Sequence, residues 1–119
     1  MKEIDLILEK LTKDEKQLLK DTINHGFWGD ADEEFLNDKG EVETDGCYGY
    51  CTNDAVKGKH FSGRKISGLF SSMYKKLCPN GVGEIISNCN DWWGDNSGDM
   101  LFIRIDYVKA FEDWVKEKK

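Results

Sequence analysis

Between Ala55 and Gly83 the chain has no aspartate or glutamate, although the protein carries 23 acidic residues among 119. That stretch holds Lys57, Lys59, Arg64, Lys65, Lys75 and Lys76, with His60 beside them. The remainder sets 11 basic residues against all 23 acids. Spread evenly, a net charge of −6 would weigh against nucleic acid. Binding follows the local field rather than the total, so segregated charge keeps nucleic acid in view.

Other absences exclude other classes. No apolar run approaches the roughly 20 residues of a membrane span. Met1 to Leu11 alternates charged and apolar residues and leaves no room for the apolar core of a signal peptide, so a cytoplasmic location is expected. The four cysteines, Cys47, Cys51, Cys78 and Cys89, match no common zinc spacing. In a reducing compartment they read as free thiols that pack as small hydrophobes. No G-x-S-x-G, P-loop, H-E-x-x-H or dinucleotide fingerprint occurs. Gly81-Val82-Gly83 lacks the strand–turn–helix setting of a phosphate loop, and Ser62, Ser67, Ser71 and Ser72 have no base beside them in the sequence. The chain is therefore expected not to be an enzyme and to carry no cofactor.

What is present fits one folded domain over residues 1–119, with 39% hydrophobic and 12% aromatic residues. Ile4, Leu6, Ile7, Leu8 and Leu11 mark a short N-terminal helix. Thr12-Lys13-Asp14-Glu15 reads as a capping box, opening a helix that runs to about Asn24 and stops at Gly26. Residues 26–46 then hold eight acids and one base, with Phe27, Trp28, Phe35, Leu36 and Val42 interspersed. This acidic insertion is expected to be a loop with a turn of helix near Asp32–Leu36. Asp30-Ala31-Asp32-Glu33-Glu34-Phe35 lacks the central glycine of a calcium loop. Tyr48 to Thr52 reads as a short strand, followed by a short helix to about Gly58.

Ser62 is placed to cap a helix ending near Leu77. Ile66, Leu69, Phe70, Met73 and Leu77 form its apolar stripe, and Pro79-Asn80-Gly81 ends it. Glu84–Asn90 and Met100–Ile105 read as two strands, joined by Asp91-Trp92-Trp93-Gly94-Asp95-Asn96-Ser97-Gly98-Asp99. Asp106 is expected to cap a last helix with Val108, Phe111, Trp114 and Val115 on one face.

Phe61-Ser62-Gly63-Arg64-Lys65-Ile66-Ser67-Gly68-Leu69-Phe70-Ser71-Ser72-Met73-Tyr74-Lys75-Lys76-Leu77, followed by a hairpin at about 84–105, resembles the recognition helix and wing of small winged helix-turn-helix proteins. These include MarR-like proteins and those of phages and mobile elements. The resemblance implies an α+β fold: a three-helix core, a β-hairpin wing, extra terminal helices and the acidic insertion after the first core helix. It covers about Thr12 to Ile105 in element order and residues 61–77 in residue pattern. Cys78-Pro79 departs from the Gly-Leu common in such domains. The function it implies is transcription regulation through double-stranded DNA. Such readers commonly work as dimers, and the helices around Ile4–Leu11 and Val108–Val115 are the expected homodimer surface.

The face opposite the apolar stripe supports the same function independently. Arg64, Gly68, Ser71 and Lys75 form its outward row. Lys65, Ser72 and Lys76 flank it on one side, and Ser67 and Tyr74 on the other. Arginine grips guanine bidentately, serine hydroxyls suit bases or phosphates, and glycine permits close backbone approach. Lys75 and Lys76 suit phosphates at the helix end. Lys57, Lys59 and His60, at the preceding turn, would meet the flanking backbone, and Ser62 belongs to the same expected DNA-binding set. The hairpin loop carries three aspartates and no base, which counts against wing contact with DNA. Of Trp92 and Trp93, neighbours on an extended chain, one is expected in the core and the other at a protein interface. The acidic insertion is a solvated loop, a cover for the basic face, or a carboxylate surface for a basic protein. A competing reading follows: a protein-binding module or inhibitor acting through residues 26–46 and Trp92/Trp93, without DNA.

Overall fold

A computed structural model describes residues 3–25, 29–51, 56, 58–79, 81–90 and 99–117. The described residues form an α+β fold with four helices and four strands. In chain order these are α1 (Glu3–Glu9), α2 (Lys13–His25), β1 (Asp30–Leu36), β2 (Val42–Cys51), α3 (Gly63–Leu77), β3 (Ile86–Asn90), β4 (Asp99–Arg104) and α4 (Ile105–Glu117). None of the described helices is long and apolar enough to cross a membrane.

Local chemistry sets the helix starts. Thr12 and Glu15 exchange the two bonds of a capping box: Thr12 N–H donates to Glu15 Oε1 at 2.7 Å, and Glu15 N–H donates to Thr12 Oγ1 at 3.2 Å. Ser62 caps α3, its hydroxyl accepting from Lys65 N–H at 3.3 Å. Helix α3 ends at Leu77 with Cys78 as its C-cap, and Gly81, at φ +83°, turns the chain away by donating its N–H to Cys78 O. Helix α4 begins at Ile105, one residue before the expected cap, directly off strand β4. Asp106 falls in its first turn, where a carboxylate still suits the helix dipole.

One hydrophobic cluster draws on every helix and on β3 and β4. It includes Ile4, Ile7, Leu8 and Leu11 from the N-terminal segment, Leu18 and Leu19 from α2, and Ile66, Phe70 and Met73 from α3. Leu101, Ile103, Val108, Phe111 and Trp114 complete it. The expected dimer surface is corrected by this packing. Most apolar residues of α1 and α4 are buried within the chain; Leu6 of α1 and Ile105 of α4 are the strongly exposed large hydrophobes of these two helices.

The acidic insertion is also corrected, because most of it is strand. β1 pairs antiparallel with β2 from Asp30↔Tyr48 to Leu36↔Val42. Asn37 frames the turn: its N–H donates to Glu41 O at 2.8 Å, and its Oδ1 accepts from the Lys39 and Glu41 N–H groups, each at 2.9 Å. Gly40, at φ +79°, supplies the left-handed residue that a three-residue hairpin loop requires. Asp32 and Glu34 lie exposed while Phe35 between Glu34 and Leu36 is fully buried, so an alternating strand and not a solvated loop carries these acids. β2 is accordingly longer than the expected strand at Tyr48–Thr52.

The sheet order is β1-β2-β4-β3, all antiparallel. β4 thus lies between β3 and β2. Its Leu101 and Ile103 join the helical core, and Phe102 alternates to the other face, where it is buried with Phe35 and Ser87. The edges approach each other: Leu36 N–H donates to Gly83 O at 2.7 Å. Gly83 is required there, since a Cβ would collide with the carbonyl oxygens of Ile86 and Leu77. Arg104 ties this second face together. Its guanidinium pairs with Glu43, donates to Glu84 O at 3.2 Å and lies 5.3 Å from the centre of the Phe35 ring.

Candidate nucleic-acid interface

Helix α3 is held by its inner face, which fixes what its outer face presents. Ile66, Phe70 and Met73 are buried, and Leu69 and Leu77 pack partly against the same cluster. Arg64, Gly68, Ser71 and Lys75 are all exposed, as the helical spacing predicts. Ser67 is exposed beside them. Tyr74, expected on the outer flank, is instead buried and packs on Phe70 with ring centres 5.8 Å apart. Its ring is large enough to reach the core from a boundary position, which the helical angle alone does not register.

A shallow hollow of about 500 Å³ lies along the first half of the outer face, lined by Ser62, Arg64, Lys65, Gly68 and Leu69. A Cβ built on Gly68 meets no atom within 4 Å. The bare backbone there is therefore not needed for packing within the chain. Among the described residues, Lys59, Arg64 and Lys75 have no acidic partner.

The flank facing α2 differs. Lys76 Nζ lies 2.6 Å from Glu15 Oε1, whose side chain is 1% exposed. Burial would raise the pKa of Glu15. Hydrogen bonds from Lys76, Ser72 and the Thr12 N–H, together with the ammonium charge, outweigh it and hold the carboxyl below its ordinary 4.5. Lys65 Nζ lies 3.7 Å from Asp14 Oδ2, both half-exposed, a pair weak enough to be given up to another anion. His60 Nδ1 lies 2.8 Å from Asp21 Oδ2, and Gln17 Nε2 donates to Asp21 Oδ1 at 3.1 Å. Thus His60, Lys65, Ser72 and Lys76 meet α2, and the row Arg64, Gly68, Ser71, Lys75 stands clear of it. Lys57 lies outside the described residues, as do Trp92 and Trp93 of the hairpin loop.

Asp14, Gln17 and Asp21 of α2 were not singled out in the sequence. Their signal is faint: helix positions 14, 17 and 21 share a face, but their partners lie on another helix and the turn before it. The acidic hairpin does not take the part that α2 plays. Among the described residues, its ion pair is Glu43 with Arg104. Its turn borders grooves shared with α1 and the start of α4, around Leu6, Asp38, Arg104 and Tyr107 and around Asn37, Glu43 and Asp106. None of the lining residues of these two grooves belongs to the outward row of α3.

Burial pushes the Cys78 thiol up to about 12, so it stays protonated and unreactive at neutral pH. Among the described residues, no three His, Cys, Asp or Glu side chains gather as metal ligands. Comparison with known proteins finds no matching family model, no similar curated protein and no similar solved structure.

Proposed function

We infer that the protein binds double-stranded DNA with the outer face of α3, in the manner of a winged helix-turn-helix regulator. The observation that carries this reading is the exposed row Arg64, Gly68, Ser71 and Lys75. It stands on a capped helix of 15 residues, in a segment without acids, on an otherwise acidic chain. A major-groove reader needs one helix clear of its neighbours, a bidentate donor, small residues between the long ones and cations at its ends. Arg64 serves as the base-edge donor, Ser67 and Ser71 contact bases or phosphates, and Lys59 and Lys75 meet the backbone on either side. Lys65 is available at small cost by leaving Asp14.

The strand order supports the winged arrangement. β2 precedes α3 and lies beside β4, so the strand before the helix joins the hairpin after it in one sheet. That sheet backs the helix and leaves its outer side free. The regulatory role and a DNA-bound dimer belong to the same proposal; the dimer requires a surface other than the buried faces of α1 and α4.

A mobility-shift titration with mixed-sequence duplex at low salt tests the reading. Arg64→Ala and Lys75→Ala each weaken binding about five- to thirtyfold, the loss of one charge-assisted contact, and together they remove the shift. Unchanged mobility shifts for the double variant would sink it.

A further inference from the structure

We propose that His60 is a proton-coupled phosphate contact, oriented by the buried carboxylate of Asp21, so that DNA affinity rises as the imidazole gains its second proton. The proposal rests on the DNA-binding reading above and adds a residue pair and a pH dependence to it. Asp21 is buried on α2, its side chain 4% exposed, while the His60 side chain is 53% exposed. A carboxylate only accepts hydrogen bonds, so the 2.8 Å contact to Asp21 Oδ2 places a proton on His60 Nδ1. Gln17 Nε2, 3.1 Å from Asp21 Oδ1, occupies the second carboxylate oxygen and fixes the group that fixes the ring. Nε2 is then the one polar atom of the ring left for a ligand.

That atom changes character with protonation. In the neutral ring Nε2 carries a lone pair, which a phosphate oxygen repels. In the imidazolium it carries N–H and donates to the phosphate with full charge assistance. Binding to the phosphate therefore takes up a proton, and Asp21 keeps the ring turned for it in both states. The position suits the task. His60 stands two residues before the Ser62 cap of α3 and next to Lys59 in the sequence. On α2 the groups facing the ring are Asp21 and Gln17, and the Phe61 ring lies 6.4 Å away, centre to centre. The charged residues nearest along the chain are Lys57, Lys59, Arg64 and Lys65; Lys57 lies outside the described residues and Lys65 is paired with Asp14.

The test is fluorescence anisotropy with a labelled mixed-sequence duplex at fixed low salt, from pH 5.5 to 8, on the full chain. Duplex phosphates do not titrate in this range, so a change of affinity with pH reports on the protein. Wild-type affinity is expected to fall by about tenfold from the acidic to the basic end, the coupling of one site to one proton. His60→Gln retains binding near the pH 8 value and loses the dependence. Asp21→Asn, which keeps the shape of the side chain, weakens binding at pH 5.5 more than at pH 8. His25→Gln, the other histidine, keeps the wild-type profile. A flat wild-type profile with binding intact, or a wild-type profile in His60→Gln, overturns the proton-coupled contact and leaves DNA binding standing. Absence of wild-type binding at every pH overturns both.

Discussion

Glu15 has two roles at once: its carboxylate closes the capping box at Thr12 and accepts from Lys76 across the α2–α3 seam. Replacing Lys76 by Met keeps the side-chain bulk and strands a buried carboxylate. With Lys76 a third exposed, the expected loss is about 1 to 2 kcal/mol at pH 7. The pH dependence has a fixed sign. The folded protein holds Glu15 below 4.5, so its contribution is fully present above that value and fades as pH falls through the lower folded value. Denaturation of wild type and Lys76→Met should thus differ most above pH 4.5 and converge in acid. A gap that widens on acidification would contradict the role given to this pair. The capping half of Glu15 is legible from Thr12 and Glu15 three residues apart. The Lys76 half is not, because the partner lies on another helix and no local spacing marks it.

At the scale of elements, helices announce themselves and the acidic hairpin does not. α3 is written twice, in the stripe Ile66, Leu69, Phe70, Met73, Leu77 and in the Ser62 cap, and both signals fall within one turn of the observed ends. In the β1–β2 hairpin Phe35 is a deeply buried anchor among acids whose charge suggests solvent. Its closing partners, Arg104 and Gly83, come from far along the chain. The Asn37–Glu41 turn, with Gly40 in the left-handed region, is the local clue that the acids obscured. If the hairpin is a packed part of the sheet, Phe35→Ala should cost about 3 to 5 kcal/mol in denaturant unfolding, and Glu34→Ala on the exposed face within about 0.5 kcal/mol. Equal, small effects at both positions would mean the hairpin contributes nothing to the folded core.

At the scale of the molecule, charge is arranged in three zones. The hairpin presents acids beside α1 and α4. The inner flank of α3 is neutralised by Asp14, Glu15 and Asp21 of α2. The outer row of α3 keeps its cations. The segregation of charge was visible in the sequence, and so was the row. The neutralised flank was not, so the basic surface is narrower than the count of six cations suggests. Among the described residues it rests on Lys59, Arg64 and Lys75, with Lys65 and His60 recruitable. That sets the salt dependence. Three to four phosphate contacts give a slope of log affinity against log salt of about −3. The most direct test is a titration of labelled mixed-sequence duplex with the wild-type protein from 50 to 200 mM salt, analysed for that slope. The account predicts binding at the low end with a slope near −3, reduced by about one unit in Lys75→Ala. No binding at 50 mM salt, or a slope that Lys75→Ala leaves unchanged, would contradict it.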